Sequence, residues 1–347
     1  MHDLPIWLNI VVFLVAGAVI GWAGTRLERV AEVIAERTGL GGAFTGMLLL
    51  AAATSLPELA TTITAIVYYG DSTLAINNLL GGVALQTFLL VVADAVKRRK
   101  GALTYFSPNF GLLIQGTGLI LLLLVTVAGI TAEGKPEFAA ISLWMPLQFL
   151  VYLAILYLSY HHRSTAPWAP TDHLHETEPS PESEDTEEHR PSLRRAWFAF
   201  AGLGVLVLAA GWLATASAEA LAEQTGLGSA FVGATLLALA TSLPEVSTTI
   251  SAARRDNYDV AVANIFGSNA FDVTLLVLAE LLYREGTILA DARSSGVFVA
   301  LIGAAMTCFY LLGLMERQNR TILSVGWDSA AAAVVYIAGM SVLYTMR

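Results

Sequence analysis

Charge is scarce in this sequence. Only 14% of its 347 residues are Asp, Glu, Lys or Arg, 56% are hydrophobic, and the mean hydropathy is +0.64. A soluble globular domain does not combine such values, so the composition describes an integral membrane protein. Cysteine is almost missing: the single Cys308, set in an apolar run, excludes a disulfide framework and a thiolate metal site and leaves a packing role. The N-terminus lacks the basic region of a signal peptide, and no small-residue cleavage site follows the apolar run 6–23, which is therefore read as a retained span. Much of the net charge of −9 sits in residues 176–188 (ETEPSPESEDTEE), so it points to no ligand, and no nucleic-acid partner is expected.

What the sequence does have is long apolar runs. At about 20 residues per crossing, spans are expected near 6–23, 42–68, 72–95, 108–130, 139–160, 196–214, 229–253, 258–282, 295–314 and 327–345. The expected fold is all-α and membrane-embedded, with ten transmembrane helices in two five-helix repeats over 1–160 and 196–347. Between them, residues 161–195 have the Pro, Ser, Glu and His content of a disordered acidic linker. Residues 25–40 are amphipathic and either lie in the interface or continue the first span, and 215–226 hold the same place after the sixth. With the N-terminus outside, fifteen of the nineteen Lys and Arg fall on inner loops. That bias puts both termini outside and the linker in the cytoplasm, with the chain in the plasma (inner) membrane. Five spans per half then make the halves inverted repeats.

The repeat is also written in the residues. Segment 46–58 (GMLLLAAATSLPE) returns as 233–245 (GATLLALATSLPE), identical at ten of thirteen positions. Thr61, Thr62 and Ile63 match Thr248, Thr249 and Ile250; after a one-residue slip, Asn78, Gly81, Gly82 and Gln86 fall opposite Asn264, Gly267, Ser268 and Asp272. Polar residues inside an apolar helix are costly in lipid and mark function, and paired repeats of this kind put a substrate site near the midplane, where broken helices meet.

Pro57 and Pro244 should free the carbonyls of Ala53 and Ala240 from the helical ladder. Thr54, Ser55 and Glu58 share one helix face, Thr241, Ser242 and Glu245 repeat it, and Ser268 with Asp272 and Gly82 with Gln86 are each four apart. Oxygen donors without a His in these segments suit a hard cation such as Ca2+ or Na+. Glu58, Glu245 and Asp272 cannot all stay charged in low dielectric unless an ion or a proton compensates them, because no Lys or Arg lies inside these spans. A site that disfavours being empty is a physical basis for exchange.

The doubled TSLPE, followed in the second half by 259–272 (DVAVANIFGSNAFD), resembles the two alpha-repeats of the cation/calcium antiporter superfamily, most closely the bacterial and archaeal sodium/calcium exchangers. The resemblance implies antiport of Ca2+ against Na+ by alternating access, with no enzymatic activity, no cofactor beyond the transported ions and no obligatory protein partner. It implies central carboxylates at Glu58 and Glu245, oxygens from Asp272 and the Gln86 amide, hydroxyl or carbonyl ligands at Thr54, Ser55, Thr241, Ser242 and Ser268, and backbone carbonyls from Ala51 and Ala238. Gly82 and Gln86 depart from the family pattern, which has a hydroxyl and a shorter amide there, so altered monovalent coupling is expected.

Other readings stay open. A proton-coupled antiporter, or one for Mg2+ or another divalent cation, shares this fold. An intramembrane hydrolase using Glu58 and Asp272 leaves the duplication unexplained, and a channel lacks its ring of charges or filter loop. Glu58 and Glu245 as capped structural carboxylates, Asp272 as a buried acid, and Gln86, Asn78, Asn264 and Asn269 as helix-packing amides are the bland alternatives. Gly81, Gly82 and Gly267 are expected to permit close helix approach, and Asn9, Gln115 and Gln148 to be packing contacts.

Overall fold

A computed structural model describes the chain except residues 2–3, 39–52, 108, 139–140, 162–191, 293 and 347. The first half contains α1 (Ile6–Arg37), α2 (Leu56–Ile63) widening into π-type turns over Thr64–Tyr69, α3 (Ser72–Val96), α4 (Phe110–Thr131), a hairpin of β1 (Glu137–Phe138) and β2 (Ile141–Ser142), and α5 (Trp144–His161). The second contains α6 (Leu193–Thr225), α7 (Gly228–Val232), π-type turns over Gly233–Leu237, α8 (Ala238–Thr241), α9 (Leu243–Arg254), α10 (Tyr258–Leu282), the short α11 (Ile288–Asp291), α12 (Ser294–Glu316), a hairpin of β3 (Thr321–Ile322) and β4 (Val325–Gly326), and α13 (Trp327–Thr345). Among the described residues seven helices are long and apolar enough to cross a membrane, or eight when the run Gly228–Thr241 and Leu243–Arg254, bent by 56°, is taken as one broken span. The fold is all-helical as expected; the segment expected over 42–68 lies partly outside the described residues, and the linker almost wholly so.

α1 and α6 are longer than the apolar runs that announced them. The amphipathic stretch after residue 24 continues α1 without a break to Arg37, and α6 likewise runs on to Thr225. The reason is burial: Leu27, Ala31 and Ile34 are fully enclosed, while Arg26 turns outward and lies 4.1 Å from the centre of the Trp22 ring. The apolar stripe of this stretch thus finds protein rather than the membrane interface. α1 and α6 pack along each other, whereas α3 and α10 form the enclosed centre, with α12 and α4 around them. Cys308 is exposed on α12 and takes no part in the core.

Two buried acids tie the halves together. Asp94 and Glu280 are each the third residue from the end of their helices, α3 and α10. Glu280 accepts hydrogen bonds from the backbone N–H of Ser142 (2.8 Å) and of Ile288 (2.7 Å) and from the Thr287 hydroxyl (3.2 Å). Asp94 accepts from the N–H of Leu103 (2.8 Å) and of Gly326 (2.5 Å) and pairs with Lys97 at 2.5 Å. Ser142 and Gly326 hold the same place in their hairpins, opposite Glu137 and Thr321. Each central helix therefore clamps the hairpin of the other half, and buried backbone donors gain charged acceptors worth about 1.5–3 kcal/mol per bond.

Candidate functional site

Both TSLPE segments break their helix at the serine. Ser55 has φ −89° and ψ 15°, Ser242 φ −82° and ψ 8°, away from the helical well, and each is followed by Leu-Pro as the opening pair of α2 and α9. Proline fits there because the first N–H groups of a helix have no partner to lose. Glu58 and Glu245 then fall in the first turn of the new helix, at its electropositive end. The break and the acid come from the same five residues.

At the breaks, α3 joins the first half to the second through Gln86. The Gln86 amide donates to Ser242 Oγ (3.1 Å) and to Asp272 Oδ2 (3.0 Å), and its oxygen accepts from Ser268 Oγ (2.9 Å). Thr241 lies beside Glu58, and Ser55 beside Asp272 without reaching hydrogen-bond geometry. Asp272 lies within electrostatic range of both Glu58 and Glu245, and Glu58 within range of Glu245. Glu58, Glu245, Asp272, Gln86, Ser55, Ser242, Thr54, Thr241 and Ser268 are all buried. The structure gathers these nine around the two breaks.

The acids are short of donors. Both oxygens of Glu58, both of Glu245 and Oδ1 of Asp272 are buried without a hydrogen-bond partner among the described residues, and so is the Ser55 hydroxyl. Orphaned buried carboxylate oxygens are rare and demand an explanation. Among the described residues no three Asp, Glu, His or Cys side chains converge closely enough to hold a metal by themselves. The acids are instead interleaved with hydroxyls and an amide, the mixed oxygen set that a hard cation accepts.

Not every expected donor is free. Ala51 lies outside the described residues. The Ala238 carbonyl accepts from Ser242 N at 3.0 Å and Thr241 Oγ1 at 3.2 Å. The asparagine amide nitrogens are engaged: Asn78 donates to Thr61 (2.9 Å) and Asn264 to Thr248 (3.0 Å) and Thr249 (3.2 Å), while Asn269 reaches Thr87 (3.1 Å); Oδ1 of Asn78 and of Asn269 is buried without a partner among the described residues. Thr61 in turn bonds the carbonyls of Pro57 and Glu58, and Thr248 those of Pro244 and Glu245. These threonines, matched between repeats, brace each break from behind; their pairing in sequence was the signal. Of the three glycines, Gly81 is forced by packing, since a Cβ there would collide with the Ala234 backbone; among the described residues a Cβ on Gly82 would meet only Gln86 Nε2 at 3.9 Å and one on Gly267 nothing within 4 Å. Gln148 and Asn9 bond neighbouring segments, as packing amides do.

The fold is shared with known proteins. The putative antiporter CaxA of Alkalimonas amylolytica is 28% identical over 313 residues, covering 89% of this chain and 92% of that protein. The H+/Ca2+ exchanger CAX superposes with a TM-score of 0.63 at 16% identity, covering 97% of this chain and 85% of that one. The sodium-calcium exchanger NCX_Mj, soaked with Na+ and Sr2+, superposes with a TM-score of 0.59 at 17% identity, covering 97% and 99%. At such identities the superpositions establish the fold. The sequence pattern of the sodium/calcium exchanger proteins matches residues 8–160 and 195–345, nearly the whole chain outside the linker, and the protein belongs to that family of cation/calcium antiporters.

Proposed function

We propose that the chain exchanges Ca2+ for Na+ by alternating access, with both ions held between the TSLPE breaks. The observation that carries this reading is the set of five buried carboxylate oxygens without donors on Glu58, Glu245 and Asp272, set among Gln86, Ser55, Ser242, Thr54, Thr241 and Ser268. A doubly charged ion, or several singly charged ones, would satisfy oxygens that no described residue satisfies. Ala51 and Ala238 would add carbonyls after a local rearrangement, since the Ala238 oxygen is engaged. Ten spans in two inverted repeats, over 1–160 and 196–347, are supported by the matched breaks, threonine braces and hairpin clamps. Fifteen inner Lys and Arg support an N-terminus outside and a cytoplasmic linker.

Proton coupling is the second reading. It is favoured by Gly82, which leaves the first repeat without the hydroxyl that Ser268 gives the second, and by orphaned oxygens that would take protons as readily as Na+. The test is radiolabelled Ca2+ flux in proteoliposomes under an imposed Na+ gradient or an imposed pH gradient, with Glu58→Gln and Glu245→Gln beside the wild type. The expected result is Na+-driven flux in the wild type and loss of about 100-fold or more in either variant, as removing a ligand-type charge worth at least ~3 kcal/mol requires. Flux driven only by pH would favour the second reading; no flux in the wild type, or normal flux in both variants, would sink the proposal.

A further inference from the structure

Of the buried acids outside the set just described, Glu28 on α1 lies closest in the chain to a strip that packs on one of the breaks. α1 meets the second TSLPE segment along a strip of glycines: a Cβ on Gly17 would sit 3.5 Å from Ala240 Cβ, one on Gly21 3.0 Å from Leu243 Cβ, and one on Gly24 would collide with Pro244 Cγ. Residue numbers rise together along both segments, so α1 runs parallel to the broken span. Glu28 is the next residue on that face, one turn past Gly24 and therefore past Pro244, on the side toward which both segments run. Its neighbours Leu27 and Ala31 pack with Ala53 of the first TSLPE segment. Glu28 thus stands where α1 bridges the two breaks.

Its chemistry is that of the site rather than of the surface. Glu28 is 7% exposed, and its Oε2 is buried with no hydrogen-bond partner among the described residues. It lies within electrostatic range of Glu245. The charges it faces on its own helix are Glu32 and Arg29, and Arg29 turns outward and, among the described residues, makes no ion pair with it. The matching position of the second half holds no acid. Gly24 corresponds to Gly211, where a Cβ would sit 2.6 Å from Ala60 Cβ, so Glu28 corresponds to Thr215, whose hydroxyl is spent on the Gly211 carbonyl at 2.9 Å. The half that has Gln86 in place of a carboxylate carries an additional one on α1.

We propose that Glu28 is a further cation-binding carboxylate, which an ion coming from the linker side of the membrane meets before Glu245. Asp94 and Glu280 are matched by donors and Glu28 Oε2 is not, and an unmatched carboxylate oxygen one turn past the second break is stabilised by a passing cation. The inference rests on the antiport reading and is specific to one side.

The experiment measures Ca2+ exchange in inside-out and right-side-out membrane vesicles for the wild type, Glu28→Gln and Glu28→Asp, with Ca2+ varied in the bath. Glu28→Gln should raise the KM for Ca2+ about tenfold from the linker side, the loss of one ion contact, with KM from the other side and the maximal rate kept; Glu28→Asp should stay within about twofold of wild type. Wild-type KM on both sides in Glu28→Gln overturns the inference, and so does an equal loss on both sides shared by Glu28→Asp, which marks a packing role. Absence of exchange in the wild type overturns the antiport reading itself, so the two failures are distinguishable.

Discussion

Gln86→Glu is the substitution that most directly tests how charge is balanced in the site. In the structure the amide nitrogen of Gln86 is 3.0 Å from Asp272 Oδ2 and donates to it. An oxygen in its place would turn that attraction into repulsion between like charges about 3 Å apart, about 5 kcal/mol at an effective dielectric constant of ~20. Protonating an ordinary carboxylate at pH 7 costs only about 4 kcal/mol. The repulsion exceeds that cost, so the pair takes up a proton whenever no cation lies against it. Ca2+ binding must then expel that proton, and the variant should gain Ca2+ uptake driven by an acidic lumen without Na+. Its flux should also fall more steeply than the wild type's as the bath is acidified. Proteoliposomes assayed with radiolabelled Ca2+ at several pH values, with and without Na+, read both effects. Gln86→Asn is the control: it shortens the arm and loses the bridge to Ser242 and Ser268 without adding charge, so it should weaken flux and gain no pH drive. If Gln86→Glu kept the Na+ and pH dependence of the wild type, Gln86 would not belong to the ion site.

Two other substitutions probe the same framework. Gly82→Ser has room, since its Cβ would meet only Gln86 Nε2 at 3.9 Å; it restores the hydroxyl that Ser268 supplies in the other half and should change the Na+ dependence of Ca2+ exchange, and an unchanged Na+ titration would count against the idea. Glu280→Ala strips the acceptor from the buried N–H groups of Ser142 and Ile288 and should lower stability by roughly 3–6 kcal/mol at about 1.5–3 kcal/mol per charged bond, seen as a lower melting temperature in detergent; a wild-type melt would show that the clamp is not needed.

The site was legible because it is written twice. A single TSLPE in an apolar helix could be a packing anomaly, but its second copy, with Thr61 and Asn78 matched by Thr248 and Asn264, fixes which residues face one another across the repeats. The broken helices were legible from Pro57 and Pro244, whose missing N–H ends a helix locally. The lengths of α1 and α6 were not, because whether an amphipathic stretch lies in the interface or continues a span depends on what its apolar stripe packs against, and Leu27 and Ile34 pack on tertiary neighbours. The hairpins were invisible for a similar reason: two-residue strands have no periodicity, and Asp94 and Glu280 look like ordinary acids at helix ends until the partner N–H groups from distant hairpins arrive. Glu28 carried no signal of its own within the amphipathic stretch 25–40, and the glycine strip ahead of it on α1 is what sets its face against the second break.

The two halves share their framework and differ in their chemistry. α1 closes over the second break through Gly24 on Pro244, and α6 over the first through Gly211 on Ala60; the helices pack along each other, so a displacement of the pair would loosen one contact as it tightened the other. The clamps at Asp94 and Glu280 lie outside that pair and tie α3 and α10 to the hairpins of the opposite halves. Such a frame is indifferent to which ion it carries, because every part of it occurs once per half. Ion identity must therefore be decided where the halves disagree: Gly82 and Gln86 against Ser268 and Asp272, and Glu28 against Thr215. α3, where the clamp at Asp94 acts, lacks a carboxylate at Gln86, and α1 carries one at Glu28, so under the antiport reading the charge available to the ion would depend on where α1 stands. Under the antiport reading, that dependence is what makes the empty site resist the swing and the loaded site permit it.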